Sequence, residues 1–172
     1  MRDAGLVEHL GAVEVTDRDV FLVAIDAPER LPTLRLGSRH HVVLVAGDLH
    51  RASDAALHRL ATALVDAGAV YLCAWGVGAE RFHDACEDVL VGAESERSGD
   101  TAVMTTWHDA TLEEAIAFLL ADACPSRAYL DSCRAALVVF VAPAPEAAAV
   151  RRALADPAEF LARMAAPDDD DR

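Results

Sequence analysis

The sequence predicts an α/β fold: a three-layer sandwich around a mostly parallel, Rossmann-like or flavodoxin-like sheet of about five strands, with room for one antiparallel edge strand. Three observations lead there. Apolar runs of strand length recur without polar alternation, as strands buried on both faces require. Segments with helical spacing of apolar residues lie between them, and Gly, Asp or Ser marks most of the junctions.

Taken in order, residues 1 to 19 are mixed and polar, and the spacing of Leu6, Val7, Leu10 and Val13 suggests a short helix packed on the domain. Val20 to Ile25 is the first strand run, ending on Asp26. The segment Ala27 to Arg39 holds Pro28, Pro32 and Gly37 and reads as a loop too broken for a crossover helix, which makes the first two main strands candidates for antiparallel pairing. His41 to Ala46 is the second run, closed by Gly47-Asp48. Leu57, Leu60, Ala61, Leu64 and Val65 then share one helical face, with Ser53 as N-cap and Gly68 as the stop.

Ala69 to Trp75 forms the third strand and Gly76-Val77-Gly78 ends it. A short helix from Ala79 to Asp88 follows, turning Phe82, Ala85, Cys86 and Val89 inward, and Val89-Leu90-Val91 reads as a brief strand. Glu94 to Asp100 is a charged loop, and the β-branched stretch Thr101 to Trp107 makes the fourth main strand. Thr111 with Glu114 has capping-box spacing and opens a helix through Ile116, Leu119 and Leu120 that stops at Cys124-Pro125. Arg134 to Ala142 is the last strand. Pro145 and the Asp156-Pro157 pair start two C-terminal helices. The organisation expected is a single α/β domain over residues 1–166, with a disordered acidic tail over 167–172.

Composition narrows the chemistry. All 15 basic residues among the 172 are arginine, so Schiff-base lysine chemistry, a lysine base and a Walker A phosphate loop are absent. The formal charge of −14 argues against nucleic acid and anionic membrane as partners, because both are bound through Lys and Arg. Asp3, Glu8, Glu14, Asp17 and Asp19 stand where a signal peptide would carry basic and apolar regions, and no apolar run reaches the roughly 18 residues of a membrane span. A cytoplasmic protein is expected. Cys73, Cys86, Cys124 and Cys133 contain no C-x-x-C spacing and read as reduced thiols, Cys73 and Cys86 as inert core residues.

Ligands of open α/β sheets bind beyond the carboxyl ends of the strands. After the first run comes Asp26; after the second, Asp48 and His50; after the third, Trp75, Gly76, Gly78 and Glu80; after the fourth, Trp107, His108 and Asp109. Parallel strands would put these groups on one edge, giving a pocket with aromatic walls and ionisable groups. Helix capping accounts equally for carboxylates at such positions. Gly76-Val77-Gly78 lacks the third glycine of a dinucleotide loop, Arg81 standing in its place, and leaves only a helix start where Arg81 and free N–H groups suit an anion. Glu80 and His83 share a helical face, but a second Glu-x-x-His, needed for a di-iron site, is missing. No metal motif is found.

The stretch from Leu64 through Cys73-Ala74-Trp75-Gly76 to Glu80-Arg81-Phe82-His83-Asp84, with Val103-Met104-Thr105-Thr106-Trp107-His108 and Leu112-Glu113-Glu114-Ala115, resembles a family of small bacterial proteins classed as a domain of unknown function. The resemblance covers roughly residues 20 to 142. It implies that Trp75, His83, Asp84, Trp107 and His108 are motif positions, and it brings no activity, substrate or cofactor.

Three readings follow. The first is a domain binding an unidentified small molecule or protein partner, with Trp75, Gly76, Gly78, Arg81 and Trp107 as contacts. The second is a hydrolase or transferase using His83 or His108 as base, oriented by Asp48, Glu80 or Asp109 or using a divalent metal held by such groups. The third is a structural module in which the tryptophans pack in a homo-oligomer interface.

Overall fold

The computed structural model describes residues 6–93, 99–142 and 144–166. Six strands form one sheet: β1 (Val7–Val13), β2 (Arg18–Ile25), β3 (His40–Gly47), β4 (Ala69–Trp75), β5 (Met104–His108) and β6 (Cys133–Val141), in the spatial order β1-β2-β6-β3-β4-β5. Every neighbouring pair is parallel except β1 with β2. The predicted parallel sandwich is therefore present, with one antiparallel edge.

That antiparallel strand is not the one expected. β2 and β3 both run parallel to β6, so the broken Ala27 to Arg39 segment is a parallel connection after all, made without a crossover helix beyond one short turn at Pro28–Arg30. The antiparallel member is β1, where a helix was expected. The cause is a bulge: the register shifts between His9 and Gly11, and Gly11 takes a φ of +132°. An inserted residue reverses the side-chain alternation, so Leu10 and Val13 pack on the same face while Val7 packs on the other. A three-residue spacing that looked helical is a strand crossing its own bulge.

Among the described residues five helices cover the sheet. α1 (Asp54–Asp66) and α2 (Ala79–Ala93) lie on one face, burying Leu57, Leu60, Leu64, Phe82 and Cys86 against Val43, Val45, Leu72 and Leu137. α3 (Leu112–Ala117), α4 (Ala144–Ala153) and α5 (Pro157–Ala165) lie on the other, burying Ile116, Val150 and Phe160 against Val42, Leu44, Cys73 and Val138. The brief strand expected at Val89 to Val91 is the last part of α2: Leu90 is buried and Val91 exposed, an alternation that a helix face satisfies. α3 continues into a π-helical turn over Phe118–Asp122, whose end is closed by the buried Arg18 guanidinium donating to the Ala123 carbonyl at 2.9 Å.

The caps form as the sequence indicates. Ser53 accepts from the Ala56 N–H at 3.2 Å, Asp156 accepts from Glu159 at 2.9 Å, and Thr111 and Glu114 make the reciprocal pair. Bonds from the Thr111 N–H and hydroxyl hold the Glu114 carboxyl below its ordinary pKa.

Among the described residues no helix is long and apolar enough to cross a membrane. The four thiols are free. Burial pushes Cys73 up to about 12 and raises Cys86 and Cys133 as well, so none of these three is a thiolate near neutral pH. The acidic tail lies outside the described residues, as does most of the charged loop before β5.

One consequence of strand order matters for function. The chain leaves β3 toward α1 on one face and leaves β6 toward α4 on the other, and β3 and β6 are neighbours. Their carboxyl ends are a topological switch point, where connections diverge and open a crevice.

Candidate functional site

The edge is built on backbone contact. Gly47, at the end of β3, has a φ of +129°, and a Cβ there would lie 2.1 Å from the Val141 carbonyl oxygen of β6. Gly76, with φ +103°, is pressed in the same way against Gly47, its Cβ position 2.2 Å from the Gly47 oxygen. Leu49 N–H donates to the Val77 carbonyl at 2.8 Å, and a side chain at Gly78 would meet the Leu49–His50 backbone. Gly76 and Gly78 therefore serve loop-to-loop approach between β3 and β4, not the cradling of a phosphate.

Arg81 is engaged too. Its guanidinium donates to the His50 carbonyl at 3.3 Å, to the Ala52 carbonyl at 3.0 Å and to the Asp54 carboxylate. It clamps the loop leading into α1, and the anion expected beside it is replaced by the chain's own Asp54.

Around this scaffold opens a cleft of about 1540 Å³, lined from all the parallel strand ends. Small-molecule sites commonly occupy roughly 300 to 1,000 Å³, so this one has room for a drug-sized ligand or a peptide segment. Asp26, Asp48, Trp75, Gly76, Gly78, Glu80, Arg81, Trp107, His108 and Asp109 all line it. Asp26 is ion-paired with Arg30 at 3.2 Å, and Asp48 accepts the His50 N–H at 3.0 Å. Those two carboxylates are the local turn residues that capping predicts. Glu80 and Asp109 are exposed and have no bonding partner among the described residues.

The tryptophans occupy opposite faces of the sheet. In the ladder Trp75 sits beside His108, and Trp107 sits one residue back beside Ala74. Trp75 packs against the α3 face and donates its indole N–H to the Ala110 carbonyl at 2.8 Å. Trp107 is 46% exposed. The cleft thus straddles the sheet edge, with one indole on each side.

His108 lies on the Trp75 side. Its ring centroid is 4.7 Å from that of Phe118, and its Nε2 is 3.4 Å from the Thr106 hydroxyl. Partial burial lowers its pKa from the usual imidazole value, the neighbouring Asp109 charge working in the other direction. His108 is therefore neutral at neutral pH, the form that accepts a proton.

His83 does not line the cleft. It sits on α2 over β5, where Nε2 lies 3.2 Å from the Thr105 hydroxyl, which itself donates to Glu87 at 3.0 Å. His83 is thus directed at the strand, while Glu80, one turn earlier on the same helix, lines the cleft. His50 is absent from the lining as well, and among the described residues no three His, Cys, Asp or Glu side chains are grouped as metal ligands.

Beyond the four strand ends that the sequence points to, the fifth also delivers residues here. Phe140, Val141 and Ala142 of β6 and its exit, with Glu146 and Val150 of α4 and Phe160 of α5, complete the wall on the α3 side. The same rule applied after the last apolar run would have found Glu146.

Fold and cleft define a switch-point α/β protein: a mostly parallel sheet between helical layers, with a large, partly aromatic crevice at its carboxyl edge. The chain belongs to the family described as Domain of unknown function (DUF7684), whose model matches residues 20–157. The match extends past the residue 142 at which the resemblance was drawn and takes in α4, so the helix that supplies Glu146 and Val150 belongs to the family region. No curated protein and no solved structure matches the chain.

Proposed function

We propose that this protein is a cytoplasmic ligand-binding domain whose carboxyl-edge cleft takes up a small molecule or a short segment of a partner. The observation that carries the reading is the convergence of five parallel strand ends on one open volume holding both tryptophans of the chain. A concave volume with aromatic walls and carboxylates not committed to the fold leaves groups free to contact a ligand.

The test uses that convergence. Because the chain has only Trp75 and Trp107, its entire indole fluorescence reports on the cleft. Titration with a metabolite library should identify compounds that shift the emission and raise the thermal midpoint, and the variants Trp75→Phe and Trp107→Phe should separate the two signals. A library in which no compound moves either ring would sink the reading.

One observation supports an enzymatic version. A neutral, half-buried imidazole at a cleft wall is the state a general base needs, and His108 has it. Asp109 beside it, with Glu80 and Asp48 across the cleft, would orient a substrate or a water in a hydrolase or transferase. In that case His108→Ala should abolish turnover of a compound found in the binding screen while leaving its binding in place.

A further inference from the structure

We propose that the ligand of the cleft is an organic cation, an amine or guanidinium carried on an apolar body; this rests on the cleft being a ligand site. The argument is one of unspent groups. Seven carboxylates line the volume, Asp26, Glu29, Asp48, Glu80, Asp109, Glu113 and Glu146, against two guanidiniums, Arg51 and Arg81. Three of the seven are already used: Asp26 pairs with Arg30, Glu29 lies 3.7 Å from Arg59, and Asp48 caps its own turn. Glu80, Asp109, Glu113 and Glu146 have no partner among the described residues, and of the two cations Arg81 is spent on Asp54 and two carbonyls.

The opposing effect is the helix ends. α1, α2, α3 and α4 all begin at this edge, and helix N-termini favour anions. Each supplies roughly half a positive charge, so together they offset about two of the carboxylates. Their first turns carry Asp54, Glu80, Glu113 and Glu146, so that field falls on the chain's own acids. With Asp26 and Glu29 paired and Arg81 spent, Asp48, Glu80, Asp109, Glu113 and Glu146 stand against Arg51 and the helix ends, and an excess of about two negative charges remains, set against apolar walls that keep the field from being fully screened. An anionic ligand would meet that excess; a cation would neutralise it.

The aromatic surface agrees. Trp75 has its only donor tied to Ala110, so what it offers a ligand is ring surface, and Trp107 is exposed beside it on the other face. The negative face of an indole is the best aromatic partner for a cation.

The experiment compares three probes of one size and three charges: benzyltrimethylammonium, benzyl alcohol and benzenesulfonate, titrated against the full chain by indole fluorescence at low salt. The cation should bind at least ten-fold tighter than the alcohol, the sulfonate should bind weaker still, and added salt should erase the preference. Glu80→Gln, Glu113→Gln and Glu146→Gln, all at exposed positions, should each weaken cation binding about two- to five-fold, with benzyl alcohol unaffected. If the alcohol or the sulfonate binds as tightly as the cation, the charge assignment is overturned and the cleft remains a ligand site. If none of the three moves either indole at millimolar concentration, both the assignment and the site fall.

Discussion

The two edges of the sheet carry similar residues and treat them differently. At the amino edge polar groups are bonded to their own chain: Ser38 donates to the His40 and Ser132 carbonyls, His40 Nδ1 meets the Ser132 hydroxyl at 2.7 Å, Tyr129 donates to Thr101 at 2.8 Å, and Arg134 pairs with Asp17. At the carboxyl edge Glu80, Asp109, Glu113, Glu146 and Trp107 stand around an open volume without such partners among the described residues. Residue type does not separate the edges, since both have His, Asp and Arg. Bonding does: polarity consumed by the fold stabilises it, and polarity left free is available to something else. The separation is not complete: at the open edge Arg81, Asp26, Asp48 and the Trp75 N–H are bonded to the chain, and at the bonded edge the His41 ring is without a partner among the described residues.

The largest test bears on how the open edge is held. Gly47→Ala forces a side chain into the Val141 carbonyl at a backbone angle that L-residues avoid. The strain and the displaced β3–β6 ends should cost about 3 kcal/mol or more, read as a lowered urea midpoint. Gly92→Ala, inside α2 with nothing within 4 Å, should be neutral or stabilising by up to about 1 kcal/mol. Equal effects of the two substitutions would mean that the edge is not built on backbone contact.

The next test concerns the exception at the bonded edge. His41 is 0% exposed and neither ring nitrogen has a hydrogen-bond partner among the described residues. Burial, aided by the neighbouring His40, lowers its pKa from 6.5 to about 4. Protonation therefore favours the unfolded chain. The contribution of a neutral His41 is fully present above pH 6.5 and is lost as pH falls from 6.5 toward 4, a total of about 3 kcal/mol. Roughly 2 kcal/mol of that should be gone by pH 5. His41→Leu should abolish this part of the acid dependence, and the same pH profile in both proteins would refute the assignment. The carboxyl edge, with its acids exposed, should contribute little to the difference.

How much of this was legible before the structure follows the same physics. β4, α1 and β6 were readable because each pattern is set by local burial: an unbroken apolar run, or a capped 3.6-residue period. β1 was not, since the bulge at Gly11 depends on pairing with β2 and leaves no unambiguous mark in the chain. The site was half legible. Strand-end position placed Trp75, Trp107 and His108 at one edge, but the one-residue offset that sends the two indoles to opposite faces is a matter of register. Register between residues 33 positions apart in the chain is fixed by three-dimensional packing. His83 falls outside the cleft for a related reason: sharing a helical face with Glu80 does not bring both to one site, since Glu80 in the first turn reaches the cleft and His83 one turn on meets Thr105.

The smallest expected effect is also the one that acts on the cleft alone. His108 owes its lowered pKa first to burial beside Phe118 and Thr106, while Asp109 pulls it back up. Asp109→Asn should therefore lower the imidazole pKa further, and only slightly, since an exposed neighbouring carboxylate acts through water. Phe118→Ala should raise it, by letting water reach the ring. Both shifts can be followed in the NMR titration of the His108 ring protons. If Phe118→Ala leaves the His108 titration unchanged, burial is not what keeps that imidazole neutral, and the enzymatic version of the cleft loses the observation that favours it.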